Sequence, residues 1–433
     1  MLDNKTATEI LEAVDKNFDE QIDFTAELVK FPSVRGQEHT AQDFMAREMA
    51  ARGLAVDRWK IKVGDIENMT GYSPVNVSYE KAYNVVGTHR SSTSRGRSLI
   101  LNGHIDVVPT GPVSGWKYPP FEPVIDDGWM YGRGAGDMKA GLVSCLFALE
   151  ALKRAGLAPG ADVFLQSVIE EEPTGNGTLA CLQRGYRADA FLDTEPMGDT
   201  LLRAHMGIMW FQIQISGDPQ HASIAQTGGA NAIENAFYLV GELKKLEKSW
   251  NESKSNYPEF ADHPHPVHFN LGKIEGGDWV SSVPAWCNFD MRIGFYPGWD
   301  LGRIRSDIES CVQEAAEKHP FLKDHPPRVV FHGHQTEGYV LKNAREAETV
   351  LRRSHKRVFE KDLVEICSPG ATDARIYALY ADTPSLVYGP RARSIHGFNE
   401  AVEIESVRKT TGAIALFIAD WCGVEEPGAD AHE

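Results

Sequence analysis

Apolar and polar positions change period several times along the chain, and each change marks an element. Residues 98–105, SLILNGHI, form an apolar run of strand length, as expected for a strand buried on both faces. MKAGLVSCLFALEALKRAG then repeats its apolar residues at helical spacing and stops at Gly156. DVFLQSVIEEE reads as a strand, GTLACLQRG as a short helix and ADAFLDTEP as a further strand. Strands alternating with helices predict a mainly parallel sheet with helices on both faces.

Near Gly207 the texture changes. IMWFQIQISG alternates as a strand with one wet face does. A long helix is expected over 231–250, strands near 267–274 and 285–293, a helix over 301–318 and a strand over 328–331. That β-α-β-β-α-β order is the pattern of a small ferredoxin-like α+β sandwich. The α/β texture then returns with a helix over 344–359, the strand SLVYG and a last helix over 404–421. The chain is read as an α/β domain, residues 1–206 and 337–433, interrupted by a smaller domain, residues 207–336. The tail EEPGADAHE is expected to fray.

Charge narrows the function classes. With 61 Asp and Glu against 44 Lys and Arg, the net charge is −17. That balance argues against nucleic acid or an anionic membrane surface as a partner. The amino terminus is acidic and lacks an apolar signal-peptide core, and no run reaches the ~18 apolar residues of a membrane helix. The six cysteines are far apart and form no CxxC pair, which reads as reduced thiols of a cytoplasmic protein.

Acids and histidines gather at predicted strand ends, where open α/β sheets bind their ligands. His104-Ile105-Asp106 closes a buried strand, with Asp106 expected to reach the imidazole. In YGRGAGDMK, glycines at 132, 134 and 136 lead into Asp137, and the acidic loop speaks against a pyrophosphate. Glu170, Glu171 and Glu172 follow one apolar strand and Asp193-Thr194-Glu195 another. Three consecutive acids at a sheet edge make sense if a cation neutralises one and another moves a proton, with Glu170 and Glu171 both open for that task. A late segment adds His396. An oxygen- and nitrogen-rich set with no cysteine fits two divalent cations, with zinc favoured where histidine contributes.

With these motifs in order, NGHIDVVP, YGRGAGDMKAG, EEEPTGNG, DTEP, HAS…GGANAIENA, GATDAR and IHGFNE, the chain resembles the dinuclear zinc amidohydrolases. That family includes acetylornithine deacetylase, succinyl-diaminopimelate desuccinylase, aminoacylase-1 and carboxypeptidase G. The resemblance implies that His104 and Glu195 bind one metal, Glu172 and His396 the other, and that Asp137 bridges them. It also implies that Asp106 orients His104. Aligning on Gly175 and Gly177 puts Glu171 on the general base and acid. The cations would be zinc, with cobalt or manganese as alternatives, and a hydroxide between them would attack the amide. The inserted domain is then a lid and homodimer interface. His221 would reach the partner's site to stabilise the oxyanion, and Arg292 would hold a substrate carboxylate.

Two departures concern the substrate. Ser281 and Ser282 stand where the family often has asparagine, and Arg391 replaces a glycine near the metal mouth, which suggests a second substrate-binding cation. His263, His265 and His268 are expected to lack a metal role, and His332 and His334 to be surface or lid-packing residues. The expected substrate is an N-acetyl, N-formyl or N-succinyl amine or amino acid. A dipeptidase or carboxypeptidase is the rival within the family. A catalytically silent binding homologue is the rival of another class, and the intact set Asp137, Glu171, Glu172 and His396 stands against it.

Overall fold

A computed structural model describes residues 2–93, 95–224 and 230–426. Its largest sheet has six strands, in the order Ala55–Lys60, Tyr83–His89, Val163–Val168, Leu99–His104, Ala190–Asp193 and Ser385–Val387. The last four run parallel, and the first two join the sheet antiparallel. The mainly parallel mixed sheet is therefore present. The two antiparallel strands precede residue 98, where the sequence assignments began. Leu99–His104 and Val163–Val168 are buried along their whole lengths, which accounts for their apolar composition. Helices Ala140–Arg154 and Ile404–Trp421 pack against each other and, with Asn4–Lys16, close much of this core.

Register explains why distant motifs meet. His104 pairs with Val168, and Asn102 with both Gln166 and Asp193. The three parallel strands thus end together, and the segments after them emerge at one edge.

A second core lies under a four-stranded antiparallel sheet, ordered Phe269–Gly276, Trp286–Phe295, Gly207–Ser216 and Arg328–Thr336. Helices Ala232–Glu252 and Leu301–Lys318 cover one face. This is the expected β-α-β-β-α-β order, with the last strand running five residues further, to Thr336. Chain entry and exit pass through a small sheet not foreseen from sequence, in which Leu201–His205 pairs with Tyr339–Val340 and Glu365–Ser368. Among the described residues no helix is long and apolar enough to cross a membrane. Most of the tail expected to fray lies outside the described residues.

Two glycines fix the segment after Asp193 by close approach. A Cβ on Gly141 would lie 2.0 Å from the Thr194 carbonyl oxygen, and one on Gly389 would lie 2.2 Å from that of Glu195. Backbone pressed this tightly from two sides leaves Glu195 little positional freedom. Gly141→Ala should cost at least ~1–3 kcal/mol, the usual range for overpacking, and lower metal content with it. Calorimetry and metal analysis check this; a variant with unchanged melting and metal content would show that the segment yields.

Candidate metal centre and active site

The edge where the parallel strands end gathers four carboxylates and two imidazoles. Asp137 lies between the histidines, with Oδ1 3.2 Å from His104 Nε2 and Oδ2 3.3 Å from His396 Nε2. Glu195 Oε1 is 3.9 Å from His104 Nε2, and Glu172 Oε2 is 3.0 Å from His396 Nε2. Two candidate ligand groups result, His104–Asp137–Glu195 and Asp137–Glu172–His396, sharing Asp137. Glu171 Oε2 is 3.9 Å from His104 Nε2.

Electrostatics at this centre are severe. Burial pushes the carboxyls of Glu171 and Glu195 well above their ordinary range, and the neighbouring acids add to it. Burial acts the same way on Asp137, but hydrogen bonds from His104 and His396 hold it well below that range. Burial disfavours charge on His104 and His396, yet the surrounding carboxylates raise both, His396 to about 11. Among the described residues no lysine or arginine pairs with Asp137, Glu171, Glu172 or Glu195. Buried like charges of this density need compensation, and a set of carboxylates and imidazoles without thiolate suits divalent cations.

Surrounding backbone is held by further acids. Glu400, fully buried, accepts the N–H groups of Gly136 and Asp137 at 3.0 Å each and pairs with Arg133. Arg133 also donates to the Gly397 carbonyl at 3.1 Å, tying the Asp137 loop to the His396 loop. Sequence reasoning quoted Glu400 without giving it a role; an acid beside one motif and an arginine in another was the available clue. His396 itself sits at φ +61°, a conformation that costs ~1–3 kcal/mol for such a residue and that clusters at functional sites.

Asp106 works differently from the expectation. His104 Nδ1 is 2.9 Å from the Asp106 main-chain oxygen, whereas the Asp106 carboxylate is 3.6 Å from that nitrogen. The carboxylate accepts the N–H groups of Glu171 and Glu172 at 3.3 and 3.2 Å. It therefore anchors the acidic turn as well as facing the imidazole.

The triple acid separates by backbone geometry. Glu170 has φ +65°, which breaks strand alternation just after Ile169. Its carboxylate accepts Arg35 Nη2 at 2.8 Å and Tyr79 Oη at 2.6 Å, so it is committed to a structural network. Glu171 instead lines the cavity.

That cavity, about 1280 Å³, lies between the ligand groups and the wet face of the four-stranded sheet. Arg292 lines it, donates to the Pro369 carbonyl at 3.0 Å, and burial lowers its pKa to about 10. His332 and His334, expected at the surface or in lid packing, line it too, because they alternate on the face turned towards the acids. His334 Nε2 donates to the Glu172 carbonyl at 2.8 Å while Thr336 Oγ1 bonds Nδ1 at 2.9 Å; burial lowers its pKa to about 3, so it is neutral.

Other expected residues stand apart. His221 is exposed, does not line this cavity, and is bridged to Ser282; part of the HAS…GGANAIENA motif lies outside the described residues. Arg391 also departs from expectation. Its guanidinium is held by Asp199 at 2.8 Å and Glu403 at 2.6 Å, and it does not line the cavity. Two carboxylates on its own side of the fold claim the charge that was assigned to substrate. His265 pairs with Glu247 at 2.9 Å and, with His268, forms a third candidate ligand group, although no metal role was expected there.

The model for peptidase family M20/M25/M40 matches residues 100–420. The chain belongs to that family. This M20-family chain is therefore an enzyme, a hydrolase of amide bonds. Two similar curated proteins are called N-formyl-4-amino-5-aminomethyl-2-methylpyrimidine deformylase. The Halalkalibacterium halodurans protein is 28% identical, covering 96% of this chain and 97% of its own. The Bacillus subtilis protein is 29% identical, covering 94% and 96%. The solved structure of the dipeptidase Dug1p from Saccharomyces cerevisiae superposes with TM-score 0.79 at 16% identity, covering 96% of this chain and 98% of that one, which shows the shared fold.

Arg391→Ala should leave KM unchanged and cost at least ~1 kcal/mol of stability, because the buried Asp199 loses its cation partner. Steady-state kinetics and thermal melting decide this, and a clear rise in KM would return Arg391 to the substrate.

Proposed function

We propose that this M20-family enzyme removes a small acyl group, formyl first among them, from an amine nitrogen. The carrying observation is Glu171, a buried carboxyl of raised pKa with no lysine or arginine partner among the described residues, beside two ligand groups that share Asp137. The names of the two curated relatives, similar over nearly their full lengths, support formyl as the acyl group.

His104 and Glu195 would hold one divalent cation and Glu172 and His396 the other, with Asp137 contacting both; zinc is the expected metal, and cobalt or manganese would substitute. Bound there, such cations lower the pKa of water towards neutrality and polarise a carbonyl. Glu171 takes the proton of the attacking water and returns it to the amine nitrogen as the C–N bond breaks, releasing the acid and the amine. Its raised pKa suits both halves of that transfer. Arg292 faces the same cavity and holds an oxygen of the substrate.

Residues 207–336 act as the lid and carry a homodimer contact. Support comes from the edge strand Phe269–Gly276, exposed along most of its length, and from the exposed Ile224, Trp279 and Val280 near His221. Across such a contact His221 would stabilise the oxyanion in the partner's site. Six unpaired cysteines fit a reducing cytoplasm.

Glu171→Gln should retain both metals and lose at least ~100-fold in kcat on N-formyl-4-amino-5-aminomethyl-2-methylpyrimidine, as loss of a general acid–base group does. Normal turnover would contradict the assignment. Mixing inactive His221→Ala and Glu171→Gln chains should restore activity in heterodimers, since one composite site then has both groups. Verified heterodimers without activity would remove His221 from the partner's site.

A further inference from the structure

The cavity roof is the part of the site that the hydrolytic chemistry does not use. Strand alternation puts Met209, Phe211 and Ile213 into the lid core and turns Trp210 and Gln212 to the cavity. Across the ladder, Trp210 pairs with Arg292 and Gln212 with Asp290. His332 enters from the neighbouring strand, its Nε2 2.8 Å from Asp290 Oδ1.

These side chains form a directed network. Gln214 Nε2 donates to Gln212 Oε1 at 2.8 Å, which turns the Gln212 amide N–H towards Asp290, 3.2 Å from Oδ1 and 3.3 Å from Oδ2. Asp290 thus presents a carboxylate to the cavity, held from behind by an amide and an imidazole. Beside it stands the indole of Trp210, edge-on to His334 with ring centres 5.3 Å apart. Its N–H has no exposed surface, so the ring serves the cavity as a wall and not as a donor.

The roof's two lysines are engaged elsewhere, and Arg292 is left for an oxygen of the scissile amide. Lys244 binds Glu247 at 2.6 Å and Lys273 lies 3.3 Å from Glu275. Arg292 gives one N–H to the Pro369 carbonyl. An aromatic wall beside a carboxylate with lone pairs left to offer describes the complement of a flat ring that carries an amino group. A free α-carboxylate placed there would meet the charge of Asp290.

We propose that the roof is the subsite for the amine half of the substrate, and that it selects a flat ring bearing an amino group through the Trp210 wall and the Asp290–His332–Gln212 network. This rests on the N-deacylase reading above. The exocyclic amino group donates to Asp290, the ring lies against Trp210, and the linked amide reaches Glu171 on the cavity floor.

The test compares N-formyl-4-amino-5-aminomethyl-2-methylpyrimidine with N-formylbenzylamine, which has a ring of the same size without nitrogens. Wild-type enzyme should favour the pyrimidine in kcat/KM by at least ~10-fold, because a site built for hydrogen bonds rejects an analogue that lacks them. Asp290→Asn should cut that preference by at least ~10-fold, mainly through KM, with His332→Gln a milder second variant if Asp290→Asn folds poorly. No wild-type preference, or equal loss on both substrates in a folded variant, overturns the subsite. Failure of the deacylase reading looks different: wild type would cleave neither formyl amide while cleaving dipeptides.

Discussion

One carboxylate, Asp137, takes hydrogen bonds from two imidazoles at 3.2 and 3.3 Å, and the surrounding architecture serves that arrangement. Glu171, Glu172 and Glu195 crowd the same space without a lysine or arginine among the described residues. Carboxylates one layer out are treated differently: Glu170 has Arg35, and Glu400 has Arg133. Permanent cations are thus spent on the scaffold, and the centre is left with a deficit of positive charge that two divalent ions would meet.

Holding such a deficit requires stiff backbone. The in-register ends of three parallel strands deliver His104, the acidic turn and Glu195 to one edge. Asp106 and Glu400 then capture backbone N–H groups of the acidic turn and of the Asp137 loop. His334 extends the same logic across the cavity, joining a strand of the four-stranded sheet to the Glu172 main chain. On the proposed reading, chemistry belongs to the floor and selection to the roof.

Much of this was legible in the sequence because period and strand-end position are local properties. The parallel core strands, the β-α-β-β-α-β insertion and the cluster of His104, Asp137, Glu171, Glu172, Glu195 and His396 follow from such patterns. Long-range partners were not legible. Arg391 looked like a free cation until Asp199, far away in sequence, closed on it. Glu170 and Glu171 were equivalent by residue type and only the alignment on Gly175 and Gly177 favoured Glu171; the left-handed Glu170, with Arg35 and Tyr79 bound to it, supplies the physical reason. His332 and His334 shared a face in sequence, but only the sheet's orientation makes that face the cavity roof.

Metal stoichiometry with manganese tests the central claim most directly, because manganese reports on its own neighbours by electron spin resonance. Protein stripped by chelator and reloaded should take two Mn2+ per chain at the centre with a spin-coupled spectrum, and Asp137→Asn should abolish the coupling. A single ion per chain at this centre, or two that behave as isolated spins in the unaltered protein, would contradict a pair of cations organised around Asp137.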